Sequence, residues 1–166
     1  MEYPIKIIRS AKRKKTVSAK LLNGVLEVRA PASISDKELQ PIIENLQKRL
    51  QDRQQKRQLN EEGDLALRAQ ELNLRYFQGE LTIRRIEYVT NQDKRFGSCT
   101  TSSGVIRISH RLAGLPKWVV DYVLIHEMAH LKVPNHSKAF WSLVNRYPLA
   151  ERARGYLMAL SGSIDK

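Results

Sequence analysis

Apolar and polar positions alternate through residues 16–29. Thr16-Val17-Ser18-Ala19-Lys20-Leu21-Leu22 and Val25-Leu26-Glu27-Val28-Arg29 flank Asn23-Gly24. That dipeptide tolerates the positive φ of a two-residue turn, so the stretch predicts a β-hairpin, closed by Pro31. The period then changes. Ser35 with Glu38 three residues later is a capping-box pattern and opens a helix running to about residue 58. Its apolar positions Leu39, Ile42, Ile43, Leu46 and Leu50 recur at helical spacing, and Pro41 falls in the early turns. From Gln51 to Gln58 the apolar pattern fades, leaving either an exposed continuation of the helix or a linker. Asp64 caps a second helix with Leu65, Leu67, Ala69, Leu72 and Phe77 as its apolar surface, ended by Gly79. Residues 81–89 and 105–109 read as neighbouring strands, with a Gly/Ser/Thr-rich connection at 97–104. Pro116 fits the first turn of a helix carrying Val119, Val120, Val123, Leu124, Met128 and Leu131. Further helices cover 137–146 and 149–160, separated by Pro148. No internal repeat is visible.

Composition narrows the class. At 166 residues, 42% hydrophobic and 28% charged, the chain has the make-up of a globular protein able to bury a core, not of a disordered one. No run of 18 or more apolar residues occurs, so no membrane partner is expected. Met1-Glu2-Tyr3-Pro4 lacks the charged-then-apolar pattern of a signal peptide. One cysteine, Cys99, excludes an internal disulfide, and the expected compartment is the reducing cytoplasm. The formal charge of +12 is uneven: residues 1–60 hold 14 Lys/Arg against 6 Asp/Glu, residues 61–166 hold 15 against 11. The length suits one compact domain rather than two ordinary ones, and within it we separate a β-hairpin and basic helix subregion, 1–60, from a region 61–166 that carries the chemistry. A basic field attracts nucleic acid or nucleotides, and it equally describes a solvated basic face.

The chemistry lies in the Pro116 helix, in His126-Glu127-Met128-Ala129-His130. Residues four apart share one helix face, one turn apart, so both imidazoles can converge on one ion. Glu127 leans instead toward the open coordination position, as in H-E-x-x-H hydrolases. Pro134 makes continuation of the helix unfavourable, so the chain turns and can return His136 to the same ion. Three of the four histidines thus fall within eleven residues at ligand spacing. Three neutral nitrogens and one water make an open catalytic zinc site, where a structural site would add a fourth protein ligand. The expected cofactor is one Zn2+, with Mn2+, Fe2+, Co2+ and Ni2+ as alternatives. Glu127 is the expected general base, taking the proton as the metal-activated water attacks.

With these residues in view, the sequence resembles the YgjP-like family of metal-dependent hydrolases, related to the WLM and SprT-type zinc peptidases. The resemblance rests on Arg95-Phe96-Gly97-Ser98-Cys99, on Ile106 through Leu112, on Asp121 through His130, and on Pro134 through Trp141. The hairpin beginning Arg13-Lys14-Lys15-Thr16-Val17 also suits the family's N-terminal portion. It implies an α+β, zincin-like fold: an antiparallel sheet beside a metal-bearing helix, preceded by an N-terminal β-hairpin and helices. It also implies His126, His130 and His136 as ligands and Glu127 as the catalytic residue. Two positions depart from the family pattern. Phe96 stands where Trp is usual, and His110 where Asn is usual. Val133 further separates the ligand loop from the metzincin signature, which has Gly there, because a β-branched residue resists positive φ.

Around this centre, Arg95, Arg107 and His110 are candidate substrate or oxyanion contacts. Strand arginines commonly face solvent, and His110 equally suits a hydrogen-bonded strand-end histidine. Cys99 reads as a small buried residue. Phe140, Trp141, Leu143 and Val144 read as core that holds the His136 segment. Three reactions or roles suit the pattern. The first is peptide or protein hydrolysis. The second is nucleoside triphosphate pyrophosphate hydrolysis, for which no G-x-x-x-x-G-K-[ST] loop is present. The third is a nucleic-acid-associated metalloprotein using the basic N-terminal half. Peptide hydrolysis is the leading reading.

Overall fold

Asn23 and Gly24 take φ values of 48° and 77°, the left-handed pair that a two-residue hairpin turn requires. The hairpin therefore forms as the alternation predicts. In the computed structural model, which describes residues 3–161, the strands are β1 (Ile5–Ser10), β2 (Ser18–Leu22), β3 (Val25–Pro31), β4 (Arg85–Val89), β5 (Gly97–Thr100) and β6 (Val105–Ser109). The helices are α1 (Asp36–Glu62), α2 (Leu65–Phe77), α3 (Lys117–His130), α4 (Lys138–Val144) and α5 (Ala150–Ser161), with a short 3-10 turn at His110–Leu112. The first two residues of the Met1–Pro4 stretch lie outside the described residues. No helix among the described residues is long and apolar enough to cross a membrane.

The chain divides into two compact units, Met1–Gln55 and Lys56–Lys166. In the first, β3 is central, pairing parallel with β1 and antiparallel with β2. Its inward positions Leu26, Val28 and Ala30 bury completely, in one cluster with Leu39 and Ile43 of α1. The capping box is made: Glu38 N–H donates to Ser35 Oγ at 3.3 Å, and the Ser35 N–H donates to Glu38 Oε2 at 3.0 Å. The polar stretch after Leu50 continues as helix to Glu62, so the boundary between units falls inside α1. The pattern does not predict β1, because Ile7-Ile8 breaks strict alternation in Ile5-Lys6-Ile7-Ile8.

In the second unit the sheet order is β4-β6-β5. Here the structure corrects the expected antiparallel sheet: β4 and β6 run parallel, and only β5 and β6 are antiparallel. Residues 90–96 carry the chain past β6, so that β5 starts on its far side and returns through a turn at Gly104 (φ 63°). β5 occupies the first half of the connection expected at 97–104, where Gly-Ser-Cys-Thr has weak strand propensity. α3 packs against this sheet. It is apolar on almost every face, with Val119, Tyr122, Val123, Leu124, Ile125, Met128 and Ala129 all buried, which is the signature of a central helix.

Among these apolar positions α3 buries two carboxylates, Asp121 and Glu127. Asp121, 4% exposed, accepts from Arg68 Nε at 2.7 Å and from Arg68 Nη2 at 2.6 Å, a bidentate pair joining α3 to α2. The Arg68 guanidinium is held in its charged form above all by this hydrogen bond to Asp121. Arg68 retains a path to water and to Glu71, which moderates the cost of losing its partner. Asp121→Ala is expected to destabilise the fold by about 2 kcal/mol, below the full value for a wholly buried pair. Urea denaturation with an unchanged m-value reads this directly; a loss under about 0.5 kcal/mol would show that the pair contributes little.

Candidate metal centre

The three histidines arrive from one helix and the turn that follows it. His126 and His130 lie on one face of α3, their ring centroids 5.1 Å apart. The helix ends at His130. Leu131 N–H reaches back to the Met128 carbonyl and Val133 N–H to that of Ala129, so the chain turns before Pro134. His136 thereby comes within 5.1 Å of His126 and 4.8 Å of His130, centroid to centroid. One ring nitrogen of each histidine lies within 4.8 Å of the others. The His136 and His126 Nε2 atoms are 3.1 Å apart. Two nitrogens about 2.0–2.1 Å from one tetrahedral ion would stand roughly 3.3 Å apart, so the donor set fits such an ion.

The electrostatics suit ligation too. Burial first, then the neighbouring His130 and His136, push the His126 pKa down to about 3. His130 is lowered chiefly by burial and by His136, against the opposing effect of hydrogen bonds to the backbone at Val133 and Pro134. Both imidazoles are neutral at pH 7, the form in which a histidine can donate to a metal. The backbone bonds at His130 also fix its ring orientation, as partners behind ligating histidines do.

Packing holds the triangle. Phe140, wholly buried on α4, contacts all three rings at 4.9, 4.5 and 4.7 Å from His126, His130 and His136. Trp141 stacks on His136 at 5.6 Å with an interplanar angle of 23°. Ser137 caps α4 by accepting from Phe140 N–H, which sets both aromatics beneath the ligand loop. The aromatic pair was legible as core; its contact with each imidazole was not, because ring-to-ring placement depends on how α4 crosses α3.

Glu127, 6% exposed, lies against Gly97 of β5, beside the histidines on the same cavity. A Cβ at Gly97 would sit 2.6 Å from Glu127 Oε1 and 2.8 Å from its Cγ, so only glycine leaves room for the carboxylate at this point. Sequence reasoning missed Gly97, whose need for close approach appears only when β5 lies against α3. Cys99, on the same strand, is pushed up to about 11 by burial and then by the Glu127 charge, so its thiol stays protonated.

A cavity of about 730 Å3 opens over this cluster, lined by the three histidines, Glu127, Gly97, Ser98 and Cys99. Arg95 lies on its wall. Arg107 and His110 do not line it. Arg107 alternates with the buried Ile106 and Ile108, so it takes the opposite face of β6 and donates to Thr100 Oγ1 at 3.1 Å. His110 sits in the 3-10 turn, and its Nδ1 is buried without a hydrogen-bond partner among the described residues. The segment presenting Arg95 is anchored from below: Ser109 Oγ donates to the Gln92 carbonyl at 2.8 Å, and Ser109 N–H to that of Phe96 at 2.8 Å.

Three convergent imidazoles with a buried glutamate beside them form the centre of a recognisable domain. Residues 80–158 match the YgjP-like metallopeptidase domain. The YgjP-like region thus runs from just before β4 into α5 and includes all four residues of the centre. Solved structures are similar at low identity. The metallopeptidase zymogen abylysin of Pyrococcus abyssi is 21% identical, covering 55% of this chain and 90% of its own, at a TM-score of 0.49. The metallopeptidase zymogen jannalysin of Methanocaldococcus jannaschii is 15% identical, covering 59% of this chain and 97% of its own, also at 0.49. No curated protein matches the chain significantly.

Proposed function

We propose that this protein is a zinc-dependent peptidase, with His126, His130 and His136 as ligands and Glu127 as general base. The observation that carries the reading is the convergence of three imidazoles within 4.8 Å beside a buried carboxylate, on the wall of an open cavity. All-nitrogen ligation favours zinc among common divalent metals. A bound zinc ion supplies Lewis acidity, lowering the pKa of water from 15.7 toward about 7 and polarising a carbonyl.

The chain's own residues do the rest. Phe140 and Trp141 hold the imidazoles in place. Glu127 Oε1 accepts the proton from the attacking water and returns it to the leaving amine, balancing the cleavage of an amide into acid and amine. β5 favours a peptide over other amides. It is an edge strand, pairing only with β6 among the described residues, and Gly97, Ser98 and Cys99 line the cavity. An extended peptide can add to such an edge through main-chain hydrogen bonds. The single cysteine suits work in a reducing cytosol.

Quenched fluorogenic peptides and an unfolded protein such as casein test the reading, with chelation and zinc restoration as controls. Cleavage that stops on chelation and returns with zinc is expected; cleavage indifferent to chelation would sink it. His136→Ala is expected to weaken zinc binding about 100-fold, read by competition with a chromophoric chelator, because two ligands remain and the third position opens to water. Unchanged affinity would remove His136 from the ligand set.

A further inference from the structure

We infer that the cavity selects peptides with acidic side chains beside the scissile bond, and that Arg95 and Arg154 make the selection; this rests on the peptidase reading. The charged residues lining the cavity, apart from the histidines, are Arg95, Arg154 and Glu127. Glu127 is buried against Gly97 and committed to the centre. What remains to meet a substrate side chain is positive.

The two arginines come from different elements, Arg95 from the segment just before β5 and Arg154 from α5. Arg154 lies over the Trp141 ring, its guanidinium carbon 5.3 Å from the centroid. That contact places the guanidinium plane against the same tryptophan that stacks on His136. Its ion pair is with Glu151 at 3.6 Å, between side chains 47% and 78% exposed, so solvent competes strongly for it. Arg95 has no carboxylate partner among the described residues. Both guanidinium groups therefore keep donors for a ligand, in the planar fork that suits a carboxylate.

The neighbouring wall is apolar, with Val123, Leu157 and Met158. A lysine or arginine side chain on the substrate would meet two like charges and a bound divalent ion, with no acid but the buried Glu127 lining the cavity. Repulsion of that kind excludes wrong substrates as effectively as attraction selects right ones. The favoured substrate is thus an extended peptide with an apolar residue at the scissile bond flanked by Asp or Glu.

The test uses zinc-loaded full chain and matched quenched peptides differing only in flanking Glu, Gln or Lys. The expected kcat/KM for the Glu peptide exceeds that for Gln about tenfold, with Lys lower still. In the Arg95→Gln/Arg154→Gln double variant the Glu-to-Gln ratio is expected to fall within about twofold. Binding of the same sequences, fluorescein-labelled, to zinc-loaded Glu127→Gln protein gives a readout independent of turnover, with the same ranking expected. Cleavage of all three peptides at equal kcat/KM overturns the inference and leaves the peptidase reading standing. No cleavage, with acid-selective and arginine-dependent binding, sinks the peptidase reading and keeps the selection. A nucleoside triphosphate held by the two arginines, with acidic peptides not bound, overturns the inference in favour of phosphate.

Discussion

Replacing Glu127 by Gln is expected to lower turnover about 1,000-fold while leaving zinc binding within a few-fold of the parent. The magnitude is that of removing a positioned general base from an attacking water. Gln keeps the shape, so the pocket against Gly97 stays filled, and the amide can still hydrogen-bond. It cannot accept the proton. The carboxylate is not a member of the convergent nitrogen cluster, which is why metal affinity is expected to persist. Zinc content and kcat measured on one preparation separate the two. A variant retaining more than about a tenth of parental turnover would remove Glu127 from proton transfer; one that loses zinc with its activity would make it a ligand instead.

The second large effect is expected at Gly97, where no chemistry resides. A Cβ there would stand 2.6 Å from Glu127 Oε1, 2.8 Å from Cγ and 2.9 Å from Cδ. The terminal oxygen can swing away, but Cγ moves only if the whole side chain changes rotamer inside a packed interior. Gly97→Ala is therefore expected to cost about 100-fold in turnover, since displacing a catalytic group by about 1 Å has that scale of effect. Overpacking is expected to lower stability by about 1–3 kcal/mol. Zinc affinity is expected to stay, because a Cβ at Gly97 meets Glu127 and no histidine, and the three imidazoles pack on Phe140. The Gly97→Ala/Glu127→Gln double variant distinguishes displacement of the base from general damage. If the glycine acts only through Glu127, the double variant turns over no more slowly than Glu127→Gln alone. Full additivity of the two losses would refute that link.

Neither position announces its role equally in the sequence. Glu127 was legible because its partners are local: the H-E-x-x-H spacing puts His126 and His130 on one helical face, whatever the helix packs against. His136 was legible for a related reason, since Pro134 forbids the helix to continue and six residues suffice to return. Gly97 was not, because a glycine in Gly-Ser-Cys-Thr gives no hint that another element touches it. Arg154 was missed similarly. It lies more than twenty residues from His130 on another helix, and its place on the cavity wall follows from how α5 packs beside α3. Arg107 and His110 were drawn toward the site by the motif they occupy, yet the register of β6 turns Arg107 to the far face.

What the sequence determined by itself is whatever depends on neighbours a few residues away. The Asn23-Gly24 turn, the Ser35–Glu38 capping box, the Asp64 cap, the extent of α3 and the spacing of the candidate ligands are all of this kind. Each follows from φ preferences, caps and the 3.6-residue period, which act over one or two turns. Tertiary structure decided the rest. The parallel pairing of β1 with β3 and of β4 with β6, the strand formed by Gly97–Thr100, the aromatic floor under the imidazoles and the arginines on the cavity wall all join residues far apart in the chain. Such contacts are chosen by burial and shape among many alternatives of similar local energy, and a one-residue shift of register sends a side chain to the opposite face. The candidate metal centre could be read from eleven consecutive residues; the walls of the cavity over it exist only once the chain has folded.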